Sequence, residues 1–150
     1  MQPLNFPHFE FKVKDINACP EIYDPVRRKY VALTPEEWVR QHLIAYLMQL
    51  KGYPGAIIGV EKQLLLNKKP KRFDLVVFSR NAQPYILAEC KAPGVPITEK
   101  AFDQAARYNM LLKAEYFLIT NGLEHYPCRL DYENKRYIFI EDVPDFKLKS

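Results

Sequence analysis

Two apolar runs that finish in charged residues constrain this chain more than any other feature. The first reads Lys71-Arg72-Phe73-Asp74-Leu75-Val76-Val77-Phe78 and the second Tyr85-Ile86-Leu87-Ala88-Glu89-Cys90-Lys91, with a turn from Ser79 to Pro84 between them. Both are rich in β-branched and aromatic residues and bounded by turn formers, which predicts two buried strands of one hairpin. Buried strands do not end in charge without compensation. Glu89 and Lys91 are two apart, so strand geometry points both to one face while Cys90 faces the other. The hairpin sets Asp74 beside Glu89. Two carboxylates and a neighbouring ammonium are the makings of a divalent-metal site with a cation able to orient a nucleophile. The competing reading is a surface ion pair between Glu89 and Lys91, with Asp74 serving the turn.

A chain of 150 residues is long enough for one domain with a real core, and its 48% hydrophobic content fits a globular protein. The net charge of +4 permits a polyanionic partner without demanding one. Lys68, Lys69, Lys71 and Arg72 run straight into Asp74 and are the candidate nucleic-acid contacts, the alternative being a solvated turn. Cys19, Cys90 and Cys128 are odd in number and form no C-x-x-C pair, which argues against a disulfide framework and a zinc site. His8, His42 and His125 lack metal-ligand spacing. The N-terminus has no signal-peptide pattern and no run of about 18 apolar residues exists, so the expected compartment is cytoplasmic.

Along the chain, alternation from Phe9 to Val13 predicts a short strand, residues 15–29 read as loop, and Tyr30 to Leu33 as extended. Thr34 as N-cap, Pro35 at the first helical position and Glu37 three after the cap mark a helix start. That helix runs to about Leu50 with Val39, Leu43, Tyr46, Leu47 and Leu50 on one stripe, and Gly52 ends it. Ala56 to Leu66 is a strand candidate with a turn at Lys68 to Pro70. After the charged hairpin, Thr98 caps a second helix reaching about Lys113. Tyr116 to Thr120 is a buried strand, and Cys128 to Tyr132 with Tyr137 to Ile140 form a last hairpin. The order predicts an α/β fold with a mixed sheet flanked by helices.

Two further groups stand out. Glu36 falls in line with Val39, Leu43 and Leu47 at 100° per residue, and so is expected on the docking face, where it could reach Asp74 and Glu89. Glu37 lies off that direction and is accounted for as the capping partner. Gln104 and Tyr108 are four apart on the second helix, expected on a stripe with Ala101, Ala105, Leu111 and Leu112. A glutamine there needs a hydrogen-bond partner.

Taken in order, Glu36, Asp74, Glu89-Cys90-Lys91 and Gln104-Ala105-Ala106-Arg107-Tyr108 resemble the PD-(D/E)XK nuclease superfamily, in the subset carrying a Q-x-x-x-Y motif. More closely, Arg72-Phe73-Asp74 through Lys91-Ala92-Pro93, Gln104 and Tyr108 to Ile119-Thr120-Asn121-Gly122 is similar to the N-terminal nuclease domain of type I restriction enzyme R subunits. The resemblance covers about residues 30 to 125. It implies a restriction-endonuclease-like core in the order α-β-β-β-α-β, here with an N-terminal extension and a C-terminal β-hairpin, all within one domain over 1–150. Phe73 departs from the proline of the superfamily name. Those R subunits continue into an ATP-driven translocase, and this chain ends at Ser150 with no G-x-x-x-x-G-K-[ST] loop, so cutting is expected to be autonomous or to need a motor or specificity subunit in trans.

The expected activity is hydrolysis of DNA phosphodiesters in restriction, defence or repair. Converging carboxylates repel each other at neutral pH, and Mg²⁺ or Mn²⁺ would remove the conflict, with hard oxygen ligands to suit it. Asp74 and Glu89 are expected as direct ligands. The resemblance implies the Cys90 carbonyl as a third and puts Glu36 in the outer shell or on a second ion. Lys91 beside carboxylates favours its ammonium form, which suits it to orient water and stabilise developing charge rather than act as a base. Gln104 and Tyr108 would steady Lys91 or the backbone phosphate. A double-strand break needs two such sites, which makes a homodimer a candidate arrangement. Two rival readings are a nucleic-acid-binding or accessory module that keeps the fold without turnover, and a protein-interaction domain using Tyr126, Tyr132, Tyr137 and Phe139.

Overall fold

The computed structural model describes residues 1–66 and 68–147. Three strands, β1 (Val13–Ile16), β2 (Cys19–Asp24) and β3 (Lys29–Ala32), form an antiparallel meander at the N-terminus. Then follow α1 (Pro35–Ala45), β4 (Ile58–Leu66), β5 (Lys69–Phe78), β6 (Pro84–Cys90), α2 (Glu99–Asn109), β7 (Tyr116–Thr120), β8 (His125–Asp131) and β9 (Arg136–Phe139). The last six strands make one sheet in the order β4-β5-β6-β7-β8-β9. Only the β6–β7 pair is parallel, with α2 as its crossover, so the sheet is mixed as expected.

The N-terminal region departs from the sequence expectation. The predicted strand Phe9 to Val13 contributes only Val13 to β1, and residues 15–29, read as loop, hold most of the meander. Asn17 and Ala18 at positive φ make the tight turn that lets Ile16 pair with Cys19, and prolines at its strand margins masked the pattern. Phe9 and Phe11 instead pack their rings near His42 of α1, Phe11 at 4.7 Å.

Two apolar layers sandwich the six-stranded sheet. Val39, Leu43 and Leu47 pack with Leu75, Val77, Ile86, Ala88 and Cys90 on one face. Phe102 and Ala106 of α2 pack with Phe73, Val76, Leu87, Phe117 and Ile119 on the other. Thr34 Oγ1 accepts the Glu37 N–H at 3.0 Å and Thr98 Oγ1 accepts that of Ala101 at 3.1 Å, so both helices begin where their caps predict. Their far ends differ from expectation. After Ala45 the chain widens into a π-helical turn, Tyr46–Leu50, which shifts the stripe out of phase and leaves Leu50 exposed. Past Asn109, α2 tightens into a 3₁₀ turn, Met110–Leu112, and Leu111 also faces solvent. The β4–β5 turn falls at Lys68, and Lys69 and Pro70 already belong to β5.

Candidate active site

The site lies where β5 and β6 part. Their ladder runs through Leu75 opposite Ala88 and then stops. Beyond it, the Asp74 carboxylate takes over from the backbone and accepts the Cys90 N–H at 2.8 Å. The same point interrupts the β4–β5 ladder. Val60 pairs with Leu75 and Lys62 with Phe73, but Glu61, at φ +51, and Asp74 form no pair between them. A non-glycine residue in the left-handed region is held there only by its surroundings. Here three arginines hold it. Arg40 Nη1 stands 3.0 Å from Glu61 Oε1, Arg27 Nη1 3.3 Å from the same oxygen, and Arg72 Nη1 3.4 Å from Oε2.

On β6, Ile86, Ala88 and Cys90 face α1 and Leu87 faces α2, so Glu89 falls on the α2 side. Its carboxyl is half-buried and its proton affinity is raised, first by desolvation and then by the charge of Asp74. Lys91 and Lys71 work in the opposite direction on it. The two carboxylates therefore feel each other across the end of the hairpin, as the register predicts. Lys91 is half-buried, and its own N–H bonds Thr120 O at 2.8 Å, fixing the strand end against β7. Cys90 is fully buried, and burial pushes its thiol well above its ordinary range, so it is a core residue and not a reactive thiolate.

The glutamate expectation is corrected. Glu36 is half-exposed, held at the rim by Arg40 Nη2 at 3.4 Å. Glu37 is the buried one. Its carboxylate binds Arg27 at 2.7 Å, Arg40 at 3.1 Å and Gln41 at 3.1 Å. Its backbone N–H is capped by Thr34, but its side chain serves the arginines. Helical phase alone missed this because Arg27, in the β2–β3 turn, draws Glu37 inward. Arg40 links these groups to the hairpin, with Nη2 3.9 Å from Asp74 Oδ1. The arginines were not anticipated, although a charge at 40 between buried Val39 and Leu43, and another at 61 inside an apolar strand, were signals to hand.

The second helix also turns a different face inward. Phe102, Ala106 and Asn109 are buried, whereas Ala101 and Gln104 are exposed and Tyr108 is 40% exposed. Phe102 is the largest apolar side chain in the first turn, and packing its ring 5.7 Å from that of Phe117 rotates the expected stripe by about one position. Gln104 thus needs no buried partner. Tyr108 reaches the site through Lys71, whose Nζ lies 4.0 Å from its ring centroid. Lys68 and Lys69 are exposed at the β5 entrance, as is Arg72. Among the described residues, no three His, Cys, Asp or Glu side chains converge into a metal-holding cluster. No helix among them is long and apolar enough to cross a membrane.

No curated protein matches the chain. A solved structure described as a fragment of an HsdR subunit of a type I restriction enzyme from Vibrio vulnificus YJ016 superposes with a TM-score of 0.51 at 19% identity. The match covers 75% of this chain and 24% of that one, so the chain spans about a quarter of the length of that relative. At this identity the likeness speaks for the fold. A family model, described as type I restriction enzyme R protein N terminus (HSDR_N), matches residues 35–144, from the first residue of α1 past the end of β9. That span includes every residue of the hairpin site, and the chain belongs to the family of type I restriction enzyme R protein N-termini.

Proposed function

We propose that this domain is a metal-dependent nuclease module that hydrolyses DNA phosphodiester bonds, with Asp74, Glu89 and Lys91 at its centre. The observation that carries the reading is the Asp74 carboxylate standing in for the missing β5–β6 ladder beside a Glu89 whose proton affinity is raised. A structural ion pair has no need to hold two acidic groups together at a strand end. Membership of the family of type I restriction enzyme R protein N-termini supports a restriction-related role, and on this reading DNA and other subunits would be its partners.

The donors fit Mg²⁺ or Mn²⁺. Asp74 and Glu89 supply hard carboxylate oxygens, and the Cys90 carbonyl is a third oxygen on the same strand end. Among the described residues no group of three His, Cys, Asp or Glu side chains forms there, and magnesium is commonly held by one or two carboxylates and several waters. When bound, such an ion raises the acidity of a water and offsets charge on the phosphate. Asp74, fixed by the Cys90 N–H, is the rigid ligand, and Glu89 the one whose charge the ion would stabilise. Glu36 at the rim acts at most through the outer shell, because Arg40 already holds it. Lys91 orients the attacking water and donates to the developing negative charge. Gln104, exposed on α2, would meet the DNA backbone rather than brace Lys91.

The test is nicking of supercoiled plasmid by the purified chain with magnesium or manganese. Wild type is expected to nick, and Asp74→Ala to lose nicking while still unfolding cooperatively. Equal nicking by both proteins would overturn the reading. The rival reading, a module that binds DNA without turnover, predicts salt-sensitive DNA binding with no nicking by either protein.

A further inference from the structure

The basic run before Asp74 does not act as one patch. Lys68 and Lys69 project into solvent, and Arg72 turns toward Glu61. Lys71 alone is half-buried. Its Nζ sits 4.0 Å over the centroid of Tyr108 and 5.8 Å from that of Phe73, and among the described residues it forms no ion pair. Its charge is felt at Glu89, together with that of Lys91. Tyr108 in turn is a large aromatic left 40% exposed on α2, and among the described residues it packs in none of the ring pairs of the core behind it.

A lysine on a strand margin ordinarily extends into water, because pinning it sacrifices rotamer freedom. A carboxylate partner would pin it but cancel its charge. An aromatic face holds the ammonium in direction and leaves the charge, with outward N–H bonds free. That arrangement suits a phosphate-binding lysine.

We propose that Lys71 binds a DNA backbone phosphate next to the one cleaved, and that Tyr108 presents it through the face of its ring. The assignment rests on the nuclease reading of the Asp74–Glu89–Lys91 site and deepens it. Lys91, just past the end of β6, serves the reacting phosphate, and Lys71, three residues before Asp74, fixes the register of the DNA strand beside it. Tyr108 is a positioning residue in this scheme. The part of the tyrosine that matters is the ring.

The test uses the purified chain with a labelled short duplex for affinity and with plasmid and magnesium for cleavage. Lys71→Ala is expected to weaken binding about tenfold and to lower the salt slope by about one. It should raise KM while kcat at saturating DNA stays within about threefold, and Lys71→Arg should restore most of the affinity. Tyr108→Phe and Tyr108→Trp should hold affinity within about threefold, whereas Tyr108→Leu should lose as much as Lys71→Ala and add nothing to it in the double variant. Thermal unfolding of each variant separates misfolding from lost contact, and the Lys71 pair stands even if Tyr108→Leu folds poorly. Wild-type affinity in Lys71→Ala at every salt concentration, or equal losses in Tyr108→Phe and Tyr108→Leu, would overturn the proposal. Absence of cleavage by wild type would defeat the nuclease reading instead, while the binding series would still decide whether Lys71 and Tyr108 act as a pair.

Discussion

The chemistry of the site is set by which charges are shared and which are left over. Glu89 is left over, with its proton affinity raised by burial and by Asp74. The folded chain therefore binds this proton more tightly than the unfolded chain does. Stability falls as pH rises from the ordinary carboxylate value through the raised one, and above that window the penalty is present in full. Glu89→Gln is expected to raise Tm at pH 7, with the gain disappearing below the ordinary carboxylate range and shrinking with saturating magnesium. Calorimetric scans across pH check the sign. A neutral or negative shift at pH 7 would mean that Glu89 is already compensated. Lys91 is the complementary case, a cation that the proposed chemistry uses. Lys91→Ala should reduce nicking about 10²–10³-fold with little change in Tm, measured as single-turnover rates. Arg40 differs from both. Its side chain is 6% exposed and it touches Glu36, Glu37, Glu61 and the vicinity of Asp74. Removing one partner from such a network leaves buried charge behind, so Arg40→Met should destabilise by about 3 kcal/mol, read from urea unfolding.

At the scale of elements, the sequence carried most of what local chemistry decides. Thr34 and Thr98 cap the helices they were expected to cap, and Thr34→Ala should cost about 1 kcal/mol by the same urea measurement. The β5–β6 hairpin was legible because apolar runs bounded by turn residues leave few alternatives. The faces of the helices were less legible. Phe102 turned α2 by about one position, and the π-helical turn at Tyr46–Leu50 took Leu50 off the stripe. Glu36 and Glu37 exchanged burial because a distant arginine outweighed helical phase. In each case a contact with another element decided the outcome, and such contacts are not written in periodicity. The β1–β3 meander was missed for a related reason, since its strands are short and interrupted by proline and charge.

Across the whole molecule, the N-terminal region belongs to the site as much as the sheet does. Arg27, from the β2–β3 turn, joins Asp24, Glu37 and Glu61, so the meander is locked to α1 and to β4 beside the β5–β6 hairpin. The first residues strap the same helix. Trp38 Nε1 donates to Gln2 O at 2.7 Å, and Asn5 N–H bonds Gly122 O at 2.7 Å. Gly122, at φ +86, lies where an added Cβ would come within 2.8 Å of Leu4, so the turn after β7 is shaped to admit the strap. The meander and strap together brace α1, and α1 in turn carries Arg40 to the Asp74 end of the hairpin. The central claim, that Asp74 and Glu89 share one hard cation, is tested most directly by anomalous diffraction from manganese-soaked crystals. The account predicts a single strong peak about 2.1 Å from an oxygen of each carboxylate and from the Cys90 carbonyl. A peak elsewhere, or none at this strand end at millimolar manganese, would contradict it.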